Sequence, residues 1–144
     1  AHAGRLAFSL FRSRESLEEV KERTSAALAE LGLSGSSTRR AGDLSHGQQR
    51  RLEIAMALVG NPSVLLLDEP TSGMGVDDLP EMTELIAQVG KKRTVVLIEH
   101  NISLIMSISR SITVLHLGEV LLQGEPGVVA ADPRVKAAYL GSEG

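Results

Sequence analysis

Three short stretches of this sequence hold residue types that could do chemistry, and they follow one another along the chain. The first is Leu44-Ser45-His46-Gly47-Gln48-Gln49-Arg50-Arg51, the second Asp68-Glu69-Pro70, the third Glu99-His100. A carboxylate such as Asp68 suits Mg²⁺. A second beside it, Glu69, can orient or deprotonate water, and an imidazole such as His100 can contact a phosphate. Ser45 with Gly47 and Gln48 reads as the start of a helix, where unpaired N–H groups and a partial positive charge favour an anion. Gly47 leaves room there for a ligand close to the backbone. Each stretch alone also has a plain reading: a polar turn leaving a buried strand, an ordinary polar histidine, a simple capped helix.

The elements that must position these residues are legible from the pattern around them. Asp68 and Glu69 follow an apolar run at 64–67, and Glu99 and His100 follow another at 95–98. Residues 78–89 between the runs suit a helix, with Pro80 tolerable in its first turn. Strand, helix and strand with unbroken apolar strands predict a parallel sheet covered on both faces, with strands at 63–67 and 94–98. Ligands bind beyond the carboxyl ends of such strands, so Asp68, Glu69 and His100 are expected on one edge.

A helix is expected over about 46–59. Ser45 is its N-cap, Gln48 the capping-box partner, Leu52, Ala55, Met56 and Val59 its apolar face, and Gly60-Asn61-Pro62 its stop. Its free N–H groups are expected to face solvent. An earlier helix has Leu17, Val20, Ala27, Leu28 and Leu31 on one face, with Ser16 and Glu19 as a capping box and Gly32 at its end. Leu6, Phe8, Leu10 and Phe11 read as further helix core or as a docking surface. Beyond His100, Asn101 can cap a helix running through Ser109. Residues 112–117 and 119–123 suit a β-hairpin turning at Gly118, and 131–140 a short helix around Asp132-Pro133.

Composition bounds the function classes. The 144 residues are 42% hydrophobic and 23% charged, as in a globular domain. Fifteen basic against eighteen acidic residues give a formal net charge of −3, which supplies no electrostatic reason for a nucleic-acid partner. The lack of cysteine excludes disulfides, thiolate catalysis and cysteine-ligated zinc. No apolar run approaches the ~18 residues of a membrane-spanning helix, so direct insertion is not expected.

In order, the motifs extend to Val64-Leu65-Leu66-Leu67-Asp68-Glu69-Pro70-Thr71-Ser72-Gly73 and Val96-Leu97-Ile98-Glu99-His100. This set resembles the ATP-binding-cassette (ABC) ATPases: signature motif, Walker B strand with its following glutamate, D-loop and switch histidine. For the fold, the resemblance implies part of a P-loop NTPase-like α/β domain. Residues 1–60 would be a helical subdomain, 61–130 the C-terminal part of the ATPase core, with parallel strands and a β-hairpin, and 131–144 a short tail helix. For the site, it implies that Leu44, Ser45, His46, Gly47 and Gln48 contact ATP held by a second ATPase subunit. Asp68 would hold Mg²⁺, through water, Glu69 would polarise the attacking water, and His100 would brace the γ-phosphate. Ser72, Gly73, Met74 and Gly75 would form the D-loop.

Two departures stand against the family pattern. No Gly-x-x-x-x-Gly-Lys-Ser/Thr occurs in the chain, which also begins Ala1-His2-Ala3 rather than with methionine. A truncated or processed product, inactive alone, is expected on that basis. Many relatives also carry Asp where this chain has Gly75.

Residues 47–55, the run Leu97-Ile98-Glu99-His100-Asn101 and the tail around Asp132-Pro133-Arg134 look like the bacterial importers of branched-chain amino acids. That implies a membrane permease as partner and a peripheral place on the cytoplasmic face of the inner membrane. Urea or amide importers, a soluble cassette ATPase without a transporter, and a non-catalytic interaction piece are the alternatives.

Overall fold

The computed structural model describes the backbone of residues 3–139 and the side chains of residues 17–139. The chain forms two compact units that divide between Ile98 and Glu99.

The first unit opens with helix α1 (Ala3–Glu30), which runs unbroken through Ser16, so Ser16 does not cap it. Of the expected apolar face, only the C-terminal part is used. Ala27 and Leu31 are buried, whereas Leu17 and Val20 are more than half exposed. Leu6, Phe8, Leu10 and Phe11 have side chains outside the described residues. Gly32 ends the helix at φ +69°, with Leu33 N–H donating to Leu28 C=O at 2.7 Å and Gly32 N–H to Ala29 C=O at 3.1 Å. This is a Schellman closure, and it turns Leu33 into the core, where it is 2% exposed.

After two single 3₁₀ turns comes helix α2 (His46–Leu58). It stops where Asn61, at φ +47°, donates its N–H to Leu58 C=O at 2.8 Å; the left-handed residue is Asn61, not Gly60. The buried stripe of α2 is Gly47, Arg51, Ile54, Ala55 and Leu58, while Met56 is 67% exposed. The expected stripe of Leu52, Ala55, Met56 and Val59 is therefore rotated, because a glycine and a charged residue occupy core-facing positions.

Strand β1 (Val64–Asp68) pairs in parallel with strand β2 (Thr94–Ile98), from Val64 opposite Thr94 to Asp68 opposite Ile98. Helix α3 (Leu79–Lys92) makes the crossover, with Pro80 in its first turn. Its buried Met82, Ile86 and Val89 share one face, and the inward Leu65 and Leu67 of β1 complete the core. Burying each such side chain is worth about 1.5–3 kcal/mol. The sheet is not covered on both faces as expected: Val64, Leu66, Val96 and Ile98, which alternate with the inward residues, are 46–64% exposed. Arg93 and Lys92 at the end of α3 both reach Glu30 of α1 at 3.4 Å, which fastens α1 to the rest of the unit.

The second unit holds α4 (Ile102–Ile108), the antiparallel hairpin β3 (Ile112–His116) and β4 (Glu119–Gly124), then α5 (Pro126–Ala131) and α6 (Pro133–Tyr139). Asn101 caps α4, its side-chain oxygen accepting from Leu104 N–H at 3.1 Å. Leu117 at φ +51° and Gly118 at φ +84° make the hairpin turn. The single closing helix expected over 131–140 is instead two helices. Asp132 is extended at ψ 124°, as the residue before a proline prefers, and this splits α5 from α6. Leu140 lies outside the described residues.

Candidate functional site

Asp68 and Glu69 stand at the carboxyl end of β1, and both are exposed. Their position follows from the ladder. The last register pair is Asp68 with Ile98, and the Glu69 N–H then donates to Ile98 C=O at 2.8 Å. Glu69 takes φ +44°, a left-handed conformation that costs a non-glycine residue ~1–2 kcal/mol. The turn that follows closes through Ser72 N–H to Glu69 C=O at 3.0 Å and Met74 N–H to Thr71 C=O at 3.1 Å. Pro70 and Thr71 are buried beneath it. Asp68 and Pro70 border a shallow cleft shared with Arg50, Glu53 and Leu66.

At the start of α2, Ser45 and Gln48 form the expected capping box. The Ser45 hydroxyl oxygen accepts from Gln48 N–H at 3.3 Å, and the Gln48 side-chain oxygen accepts from Ser45 N–H at 3.1 Å. Both oxygens are thus used as acceptors, which leaves the hydroxyl proton and the amide NH₂ as donors. The amides of His46 and Gly47, at the first two helical positions, have no carbonyl within the helix to reach. Such a set of donors at a helix N-terminus is suited to an anion.

The loop at 72–78 packs against this helix start. His46 Nε2 lies 3.4 Å from Ser72 C=O. A Cβ on Gly73, itself at φ +73°, would come within 3.0 Å of the same nitrogen. A Cβ on Gly47 would meet Asp78 Oδ2 at 3.4 Å and the Met74 methyl at 3.5 Å. The helix start therefore faces solvent at Ser45 and His46 but not at Gly47, which is buried under Met74 and Asp78, while Leu44 is buried in the core. Room at Gly47 is taken by the chain's own loop. Gly75 lies in the turn closed by Asp78 N–H to Gly75 C=O at 3.1 Å.

His100 is the second residue of the second unit, after Glu99. Glu99 is the anchor there, with a side chain 0% exposed, and its carboxylate accepts from the backbone N–H of His100 at 3.2 Å. The His100 side chain is 71% exposed. The structure thus brings together the α2 start and residues 72–78, and places Asp68 with Glu69 at one strand end. Among the described residues no cluster of three His, Asp or Glu could hold a metal alone. Mg²⁺ often needs only one or two carboxylates when phosphates and waters complete its shell, so Asp68 fits it as part of a Mg²⁺–nucleotide complex.

Three residues in this arrangement were given no role from the sequence: Arg51, quoted only within the stretch at 44–51, Asp78, read only as a helix start, and Glu81. Arg51 donates from Nη1 to Glu81 Oε1 at 2.7 Å and from Nη2 to Glu81 Oε2 at 2.5 Å. The sequence carried no signal for this pair, since Arg51 lies off the apolar face expected for α2 and Glu81 is thirty residues on.

Known proteins resemble this chain in sequence and in fold. The family model described as ABC transporter matches residues 5–72. The high-affinity branched-chain amino acid transport ATP-binding protein LivG of Escherichia coli is 39% identical over 130 residues, covering 89% of this chain and 51% of LivG. BraF of Pseudomonas aeruginosa, with the same description, is 41% identical over 89% of this chain and 51% of its own length. The crystal structure of MJ1267, an ATP-binding cassette of an ABC transporter, superposes with a TM-score of 0.77 at 29% identity, covering 86% of this chain and 51% of MJ1267. The chain belongs to the ABC transporter family, within its ATPase domain. It spans about half the length of the curated relatives it matches.

Proposed function

We propose that this chain supplies the signature motif, the Walker B carboxylates and the switch histidine of an ATP-hydrolysing subunit in a bacterial branched-chain amino acid importer. The observation that carries this reading is the donor set of the Ser45–Gln48 capping box, in the same unit as two exposed carboxylates at the end of β1. Phosphoryl transfer is catalysed mostly by positioning and charge stabilisation, which is what these groups can supply. The Ser45 hydroxyl, the Gln48 amide and the α2 amides would donate to the γ-phosphate of ATP held by a second subunit. Asp68 would hold Mg²⁺ through water, and that ion would neutralise phosphate charge. Glu69 would orient the attacking water, and His100 would brace the γ-phosphate.

The solute follows from likeness to LivG and BraF, both described as branched-chain amino acid transport proteins. The partners implied are a second ATPase subunit and a membrane permease, at the cytoplasmic face of the inner membrane. No helix among the described residues is long and apolar enough to cross a membrane, so attachment would be through the permease. Residues 1–60 would form the subdomain that docks on it, 61–130 the ATPase core and 131–144 the tail. A second reading, a non-catalytic interaction piece, is favoured by one observation, the exposed apolar face of Val64, Leu66, Val96 and Ile98.

A calorimetric ATP titration and a phosphate-release assay separate the two. The 144-residue chain holds no Gly-rich phosphate cradle, so it is expected to bind ATP weakly and to show no turnover. A full-length cassette that carries it is expected to hydrolyse ATP with Mg²⁺. A full-length cassette that neither binds nor hydrolyses ATP would leave only the interaction reading.

A further inference from the structure

Arg51 is the one strongly buried basic residue of α2, 9% exposed, and its partner comes from thirty residues away. Gly47 stands four residues before Arg51, one turn up on the same face of α2. Asp78 stands three residues before Glu81, one turn up at the start of α3. The two pairs form two rungs. The upper rung sets Asp78 and Met74 against Gly47, and the lower one is the two-pronged bond of Arg51 with Glu81. The upper rung is close packing, tight enough that a Cβ on Gly47 would touch Asp78 and Met74, but Gly47 has no side chain with which to hold it. The lower rung is directional, because a planar guanidinium and a carboxylate meet in one geometry. Among the described residues Arg51 Nε, like that of Arg50, is buried with no hydrogen-bond partner, so the hold of Arg51 on its surroundings runs through its two terminal nitrogens.

We propose that Arg51 is a positioning residue that fixes the helix start at 45–48 and the loop at 72–78 as one rigid piece. It does so through Glu81. Under the function proposed above, on which its mechanistic meaning rests, the signature motif and the D-loop then approach a bound nucleotide together and in fixed register. Replacing such a pair by apolar residues of similar size often leaves overall stability unchanged, whereas the directional link is lost. That difference separates positioning from mere packing.

The test is amide hydrogen exchange on the 144-residue chain, read residue by residue, with a melting curve for each variant. Two variants are used, Glu81→Gln and the double replacement Arg51→Met with Glu81→Leu. The reporters are the amides of Gln48, Met74 and Asp78, which are bonded to Ser45, Thr71 and Gly75. Exchange there is expected to rise about tenfold in both variants, the size of one charged hydrogen bond. The β1 and β2 ladder amides, which report global opening, are expected to keep their rates. Unchanged reporters, or an equal acceleration everywhere, would overturn the proposal. Should the double variant fail to fold, Glu81→Gln decides alone, since Glu81 is 59% exposed and its loss leaves the core filled. Exchange needs no nucleotide, so this result stands apart from whether a cassette hydrolyses ATP.

Discussion

The Glu69 amide bonds to the carbonyl of Ile98, one step past the last paired residues of the two parallel strands. That bond continues the ladder into a residue at φ +44° and so turns the chain sharply after Asp68. Two adjacent exposed carboxylates then stand at the strand end, one for an ion and one for water under the proposed function. Backbone strain of this kind persists only where surrounding structure holds it, here the buried Pro70 and Thr71.

Gly73 is held by two independent demands, its φ of +73° and the closeness of His46. Gly73→Ala is expected to destabilise the chain by more than ~1 kcal/mol in urea unfolding. His46→Ala in the same chain removes the clash but not the conformational demand, so part of that loss should remain. Full recovery in the double variant would mean that the backbone conformation costs nothing.

The outer face of the sheet gives a contrast within one strand. Leu66 is 64% exposed and Leu65 is 4% exposed. Leu66→Lys is expected to leave stability within about 0.5 kcal/mol and to reduce self-association in light scattering. Leu65→Ala is expected to cost about 2–5 kcal/mol. A large stability loss from Leu66→Lys would show that this face is packed in solution.

Asp132 contributes one acid-sensitive interaction to the second unit. The side chain of Arg134, and then its backbone N–H, bond to the carboxylate and lower its pKa from 3.8 to about 2. The folded value lies below the unfolded one. The contribution is therefore complete above about pH 4 and is lost as pH falls through about 2. A carboxyl NMR titration is expected to find the Asp132 midpoint near 2, and Arg134→Ala to move it back towards 3.8. An unmoved midpoint would show that Arg134 is not the cause.

Much of this was legible in the sequence because it is local. The Ser45–Gln48 box, the Gly32 closure, the Asn101 cap and the turn at Gly118 each depend on residues a few positions apart. Both strands of the parallel pair were found within a residue, since unbroken apolar runs between breakers have few other uses. The rest was not local. The stripe of α2 was misplaced because Arg51 faces inward only by virtue of Glu81, and no hydropathy pattern registers a partner thirty residues on. Ser16 could not cap a helix that continues through it. The uncovered sheet face was missed because apolar runs report that a strand can be buried on both sides, not that it is.

The most direct measurement of the central claim is Glu69→Gln in a full-length cassette that carries this chain, followed by phosphate release and by ATP retention. The account predicts that phosphate release falls to background while ATP stays bound, because the amide can no longer polarise water but Asp68 and the helix start are untouched. Phosphate release at the unsubstituted rate would contradict the role of Glu69 and the placing of the site at the end of β1.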